Sequence, residues 1–119
     1  LLKDVYIVWP RERQLEWLAF YWEALVSLDH LSADSWAEFV TCYDLIGLQR
    51  HTKILGVFSR LWLRDNKPSY MADISVVVRY IEEACALHAE AFPELGEFWR
   101  WFEAHVLPQA TRAAWYKTA

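Results

Sequence analysis

The sequence predicts an all-α chain of four to five helices, bundle-like and organised as a single helical domain over residues 1–119. Three observations predict it. Apolar residues recur at three- and four-residue steps through most of the chain. Only 3 Gly and 4 Pro occur in 119 residues, too few for the turns of a sandwich or barrel. The prolines and turn-forming residues also fall between the periodic stretches rather than inside them. A hydrophobic content of 55% excludes disorder as the dominant state.

The opening LLKDVYIVW reads as the end of an element, with Leu1, Leu2, Val5, Tyr6 and Val8 as one apolar face. Pro10 either stops it or starts the next helix, where its missing N–H costs nothing. Residues 11–28 form the first helix, with Leu15, Leu18, Trp22, Leu25 and Val26 in phase. Trp17, Phe20 and Tyr21 widen the apolar arc, which predicts burial on two sides. Asp29 and His30 connect it to a helix over residues 33–64, with Ser32 as its N-cap. That helix would be about 48 Å long, with a bend expected near Gly47.

Residues 65–69, DNKPS, carry turn chemistry. Asp73 is the expected N-cap of a helix from Ile74 to about His88, with Val77, Val78, Ile81 and Ala84 inward. Pro93 opens the last helix, whose inward residues are Leu95, Phe98, Trp99, Phe102 and Val106, and Pro108 closes it. The tail QATRAAWYKTA is weakly patterned, and no repeat or low-complexity run occurs.

Composition narrows function mainly by exclusion. A net charge of −4 argues against a nucleic-acid partner. No apolar run approaches the length of a membrane span, and no signal peptide is visible. Cys42 and Cys85 show no metal-type spacing with His30, His51, His88 or His105, and two thiols fit the cytoplasm. The only Met is Met71, so a chain opening at Leu1 is expected to be a processed product, an excised domain or a piece of a longer protein.

Charge is unevenly distributed. Residues 45–72 hold Arg50, Lys53, Arg60, Arg64 and Lys67 against Asp65, net +4, while the other positions hold seven cations against fifteen acids. Gln49, Lys53, Gly56, Arg60 and Arg64 fall on one narrow helical stripe, and Gly56 leaves its backbone open to close approach. The stripe reads as an anion site for phosphate, carboxylate or an acidic surface. It reads equally as a solvated face, or as salt bridges to Glu16, Glu23, Glu82 and Glu83. Asp44 and His51 lie on the opposite side with Leu48, Leu55, Phe58 and Trp62. They are either satisfied core groups, groups that orient a neighbour, or part of a site. Eight Trp suggest more apolar surface than the helices hide among themselves, with Trp17, Trp22, Trp36, Trp62 and Trp101 lining a face for another domain.

Catalytic signatures are missing: no GxSxG, HExxH, P-loop, dinucleotide fingerprint or kinase-type catalytic loop occurs. The stretch YDLIGLQRHTKILGVFSRLWLRDNKPSYMADI, residues 43–74, nevertheless resembles the C-terminal helical region of aminoglycoside-phosphotransferase-like, choline-kinase-fold enzymes. It is most similar to the cell-wall amino-sugar anomeric kinases, and the core of the likeness is GLQRHxKxLGxFxRL. LLKDVYIVWP also resembles the segment that follows that family's metal-binding Asp motif.

The resemblance implies a C-terminal subdomain of a protein-kinase-like phosphotransferase. Its N-terminal lobe, catalytic loop and Mg²⁺-holding Asp would precede Leu1. ATP and Mg²⁺ would serve the full-length parent and neither would bind this chain alone, which carries no catalytic residue and is expected to be inactive. The implied partners are the missing lobe and an amino-sugar substrate. Gln49, Arg50, His51, Lys53, Arg60 and Arg64 match the family's polar positions and become the candidate substrate-binding set, with Asp65 and Lys67 also matching. Asn66 departs from the pattern, which has Gly in that turn. The alternative is a non-catalytic helical module that binds a partner through its aromatic surface.

Overall fold

A computed structural model describes residues 2–4 and 6–116. Leu1 and Val5 of the expected opening face, and residues 117–119 of the tail, lie outside the described residues. The chain is all-α, with no strand among the described residues. It comprises α1 (Arg11–Ser27), α2 (Trp36–Leu63), a 3₁₀ turn (Pro68–Asp73), α3 (Ile74–His88), α4 (Pro93–His105) and α5 (Leu107–Ala110). The chain divides into two compact units, Leu1–Gly47 and Leu48–Ala119, and α2 supplies residues to both.

The first unit is built on a buried charge. Asp44 is fully buried on α2, in an apolar run where a lone carboxylate would be very costly. Arg11, in the first turn of α1, grips it with two parallel bonds, Nη1 to Oδ1 at 3.0 Å and Nη2 to Oδ2 at 2.9 Å. The Lys3 ammonium donates to Oδ1 at 2.9 Å and is itself buried, lying 4.8 Å from the Tyr43 ring centre. Gly47 makes room for it: a Cβ there would come within 3.3 Å of Lys3 Cδ. Gly47 lies within α2, whose helical hydrogen bonding continues past it to Leu63.

A second polar link lies beside the first. Gln14 is buried on α1, donates from Nε2 to the Trp9 carbonyl at 2.9 Å and accepts from the Tyr43 hydroxyl at 2.9 Å. Pro10 precedes α1, as the missing N–H allows, and Arg13 and Gln14 donate to its carbonyl. Asp29 ends α1 in the left-handed conformation, φ 61°. Its amide donates to the Val26 carbonyl and that of His30 to Leu25, the two bonds of a Schellman closure.

Two expected boundaries move and one expected cap does not form. α2 begins at Trp36, not after Ser32, because Ser32–Ser35 forms its own turn, held by the Ser35 amide and hydroxyl donating to the Ser32 carbonyl. The Ser32 hydroxyl turns to Asp34 instead of a helix N-terminus. Asp73 sits at the N-cap of α3 but makes no side-chain cap, since the helix grows directly out of the 3₁₀ turn. Pro108 does not end α4, which stops at His105; it occupies the first turn of α5, where a proline needs no donor.

The second unit is centred on α3. Ile74, Val77, Val78, Ile81, Ala84 and Cys85 recur at three- and four-residue steps and are all buried. Each fully buried aliphatic contributes about 1.5–3 kcal/mol. α4 packs on α3 through Phe102, and α5 packs on α4. Of the inward residues expected on α4, Phe102 is buried and Leu95, Phe98, Trp99 and Val106 are half-buried. Asn66 has φ 55°, the conformation that favours Gly and that Asn tolerates, and the Lys67 amide closes the turn onto the Leu61 carbonyl.

Four outcomes follow from these structural features. Asp44→Ala leaves two cations facing an apolar wall and should cost about 3–5 kcal/mol in urea denaturation. Removing the exposed Arg13–Glu16 pair, 3.9 Å apart, should cost under about 0.5 kcal/mol. Burial pushes the Cys85 thiol above its ordinary value of 9.0, whereas Cys42 is exposed. A thiol reagent should therefore modify one cysteine in the native protein and two in denaturant. Above about pH 9 the unfolded chain releases the Cys85 proton while the folded chain retains it, so stability should fall as pH rises.

Candidate functional site

The sequence singles out a polar stripe on α2, and the fold keeps its members in line. Gln49, Lys53, Gly56, Arg60 and Arg64 follow one another at four-, three-, four- and four-residue steps, and all are exposed. Arg50 is exposed beside them. Among the described residues Arg50, Lys53 and Arg60 make no ion pair, and Arg64 meets Asp65 only at 3.9 Å. Among the described residues of its own unit, this face makes no ion pair with Glu82. Its cationic heads stand in water, where they attract anions at little conformational cost to the fold.

Helix geometry limits what the stripe can do. Gln49 and Arg64 are fifteen residues apart, about 22 Å along the axis. No monosaccharide spans that. The stripe therefore divides into a Gln49–Arg50–Lys53 group and an Arg60–Arg64 group, with Gly56 between them. His51 leaves the set. It is buried on the other side of α2, where its ring stacks on Tyr80 at 4.5 Å and 4°. The reason is angular: two positions from Gln49 is more than half a helical turn. Of the two polar groups expected on that opposite side, Asp44 and His51, each has its own partner within its own unit.

Sequence reasoning did not pair Lys3 and Arg11 with Asp44. The available signal was an aspartate at the centre of an apolar helical face, which requires a counter-charge from elsewhere in the chain.

The second unit also holds an apolar cavity of about 260 Å³. Leu55, Trp62, Met71, Val78, Phe102 and Trp115 are among its walls. Its one hydroxyl is that of Ser59, which already donates to the Leu55 carbonyl at 2.7 Å. A sugar buried there would leave its hydroxyls without partners, so this cavity does not fit one. Among the described residues no three His, Cys, Asp or Glu side chains converge to hold a metal.

Of the five tryptophans expected to be available to another domain, Trp17, Trp62 and Trp101 are exposed. Trp22 and Trp36 pack edge to face at 5.4 Å and are half-buried, and Trp22 donates to the Ser35 hydroxyl. The exposed aromatics of the first unit are Tyr6, Trp9, Trp17, Phe20 and Tyr21, joined by Ile7 and Val8. Phe20 is 78% exposed. The double-sided burial expected for α1 does not occur among the described residues; only Gln14 and Leu18 are buried on it.

Three curated relatives share sequence with this chain. The N-acetylmuramate/N-acetylglucosamine kinase of Pseudomonas aeruginosa (strain PAO1) is 38% identical over 97 residues, which is 82% of this chain and 28% of that protein. The protein of the same name from Pseudomonas putida (strain KT2440) is 36% identical over 97 residues, with the same shares. That of Neisseria meningitidis serogroup B is 32% identical over 93 residues, 78% of this chain and 28% of the relative. Over this stretch the chain is a homologue of these kinases. It spans just over a quarter of their length. No family model and no solved structure matches it.

The exposure pattern along α2 is testable. Lys53→Gln and Arg60→Gln should each change stability by less than about 0.5 kcal/mol. His51→Ala removes a buried stacked ring and should cost about 2–4 kcal/mol, read by thermal or urea unfolding.

Proposed function

We propose that this chain is the C-terminal helical region of an ATP-dependent amino-sugar phosphotransferase. The reaction is transfer of the ATP γ-phosphoryl group to the anomeric hydroxyl of N-acetylmuramate or N-acetylglucosamine, as part of peptidoglycan recycling in the cytoplasm. The observation that carries this reading is the homology to kinases named for those two sugars, over about four-fifths of this chain. In this reading the catalytic loop, the ATP site and the Mg²⁺ ligands come from polypeptide outside these 119 residues. The exposed aromatic strip of the first unit is the surface that the remaining part of the enzyme covers. Burying Phe20, Tyr21 and Trp17 there would contribute about 1.5–3 kcal/mol each.

Phosphoryl transfer needs little covalent chemistry from the protein; it needs positioning and charge neutralisation. The helical region serves the first need by walling the acceptor site. Gln49, Arg50 and Lys53, with Arg60 and Arg64, are its substrate-facing polar groups. N-acetylmuramate differs from N-acetylglucosamine in carrying a lactyl carboxylate, so a cation on this wall favours the acidic sugar.

The longer protein that contains this chain should phosphorylate both sugars, and the 119 residues alone should phosphorylate neither. Arg50→Glu or Lys53→Glu should raise KM about tenfold for N-acetylmuramate and less than about twofold for N-acetylglucosamine, a difference of at least about 1 kcal/mol. Equal effects on the two sugars would remove the carboxylate contact. Absence of sugar phosphorylation would remove the reading and favour a helical module that binds its partner through the Tyr6–Tyr21 aromatic strip.

A further inference from the structure

The apolar cavity of the second unit lies outside everything the proposed chemistry uses. Its walls come from α2, the 3₁₀ turn, α3, α4 and the chain around and after α5. Its floor is the core itself, since Met71, Ile74, Val78 and Phe102 line it and are all buried. Its rim carries two indoles, Trp62 and Trp115, with ring centres 6.4 Å apart and planes at 66°. Trp62 is 37% exposed, so the space opens to solvent at that edge.

The walls restrict what can fill it. A volume of about 260 Å³ is large for a protein interior, where voids bigger than one water are few. Wall atoms that face an empty space lack dispersion partners on that side. Water is a poor occupant, because it needs two to four polar partners. The one hydroxyl on the walls, that of Ser59, has already given its proton to the Leu55 carbonyl. Among the described residues no charged side chain lines the space, so an ion there would be desolvated without a counter-charge. What fits is a neutral, apolar body. An apolar cavity of about 150 Å³ takes one benzene ring, and this one is about 1.7 times larger, room for two fused rings. Trp62, Phe102 and Trp115 offer aromatic edges and faces to such a body. The Ser59 oxygen keeps lone pairs that can accept one hydrogen bond.

We infer that this cavity is a binding site for a neutral, fused two-ring aromatic molecule of about the size of indole, with at most one hydrogen-bond donor. Its rings rest on the Met71–Phe102 floor beside the Trp62 and Trp115 indoles. A donor on the ligand, where there is one, meets the Ser59 oxygen. The site shares no residue with the polar stripe of α2 and does not depend on the kinase reading.

Met71 is the only Met of the 119 residues and lies on the cavity floor, so its methyl group is a single reporter of occupancy. In the chain labelled with ¹³C-methyl methionine, indole should shift the Met71 resonance saturably, with half-saturation below about 1 mM. At ten times that concentration indole should raise Tm by about 5 °C. Benzene, which covers less of the walls, should bind at least about fivefold more weakly. N-acetylglucosamine should leave the resonance where it is. Ala110→Phe places a ring in the space and should abolish the indole shift, with cooperative unfolding and a Tm no lower than that of the unmodified chain showing that it folds. Trp115→Ala removes one side of the rim and should weaken indole at least about fivefold.

A Met71 resonance that does not shift saturably up to the solubility of indole overturns the inference and leaves the space a packing void. So does a shift that N-acetylglucosamine produces equally, or one that a folded Ala110→Phe chain retains. Equal affinity for benzene and indole overturns the two-ring assignment. Sugar phosphorylation by the longer protein is a separate readout: its absence leaves this site standing, and a failure of indole to bind leaves the kinase reading standing.

Discussion

A carboxylate with no exposure to water is the constraint on which the first unit depends. Asp44 needs positive partners, and α2 offers none on that side. The need is met from far away in the sequence, by Lys3 forty-one positions earlier and Arg11 thirty-three. Meeting it draws the opening segment and the first turn of α1 onto α2 in one register. The bidentate guanidinium fixes direction as well as distance, which a lysine alone could not do. Gly47 and Tyr43 complete the arrangement, one by leaving space for the Lys3 stem and the other by presenting its ring to the ammonium. Such a cluster is weak evidence for net stability, because desolvating three ions is costly. Its contribution is specificity: other packings of these greasy helices would strand a charge.

The second unit is governed by a different force. α3 buries aliphatic residues on a broad face, and its cohesion comes from area removed from water. Polar groups there are few. His51 is accommodated by stacking on Tyr80, so the ring that the sequence marks as a ligand becomes a packing element. The contrast explains why the two polar groups on the inner side of α2 have such different surroundings. One is an ion that needs countercharge, and the other a flat ring that needs a flat neighbour.

The outer side of α2 carries the chemistry that remains available. Its cations are spread over a length that no single small ligand can cover, and they are interrupted by a glycine without a folding role. The proteins this chain resembles over about four-fifths of its length are named as kinases of N-acetylmuramate and N-acetylglucosamine. The matched stretch is a little over a quarter of those proteins, and the first unit exposes an aromatic strip on α1 and the segment before it.

Much of this was legible in one dimension. Helical periodicity, Pro10 and Pro93 at helix starts, and the run from Ile74 to His88 follow from spacing that any helix must obey. The stripe from Gln49 to Arg64 is legible for the same reason, because neighbours on one helix face are set by the step of 100° per residue. The Gly expected where Asn66 stands was informative too, since that position does adopt a left-handed backbone. Tertiary structure alone decided the rest. Ser32 and Asp73 look like caps, but whether a hydroxyl or carboxylate reaches a free N–H depends on how the preceding turn enters. Pro108 marks a helix boundary, and only the packed chain decides that it opens one rather than closes one. Which cations neutralise Asp44 is a question of distance across the fold. Sequence spacing carries no information about it, because ion pairing depends on separation in space and on exclusion of water.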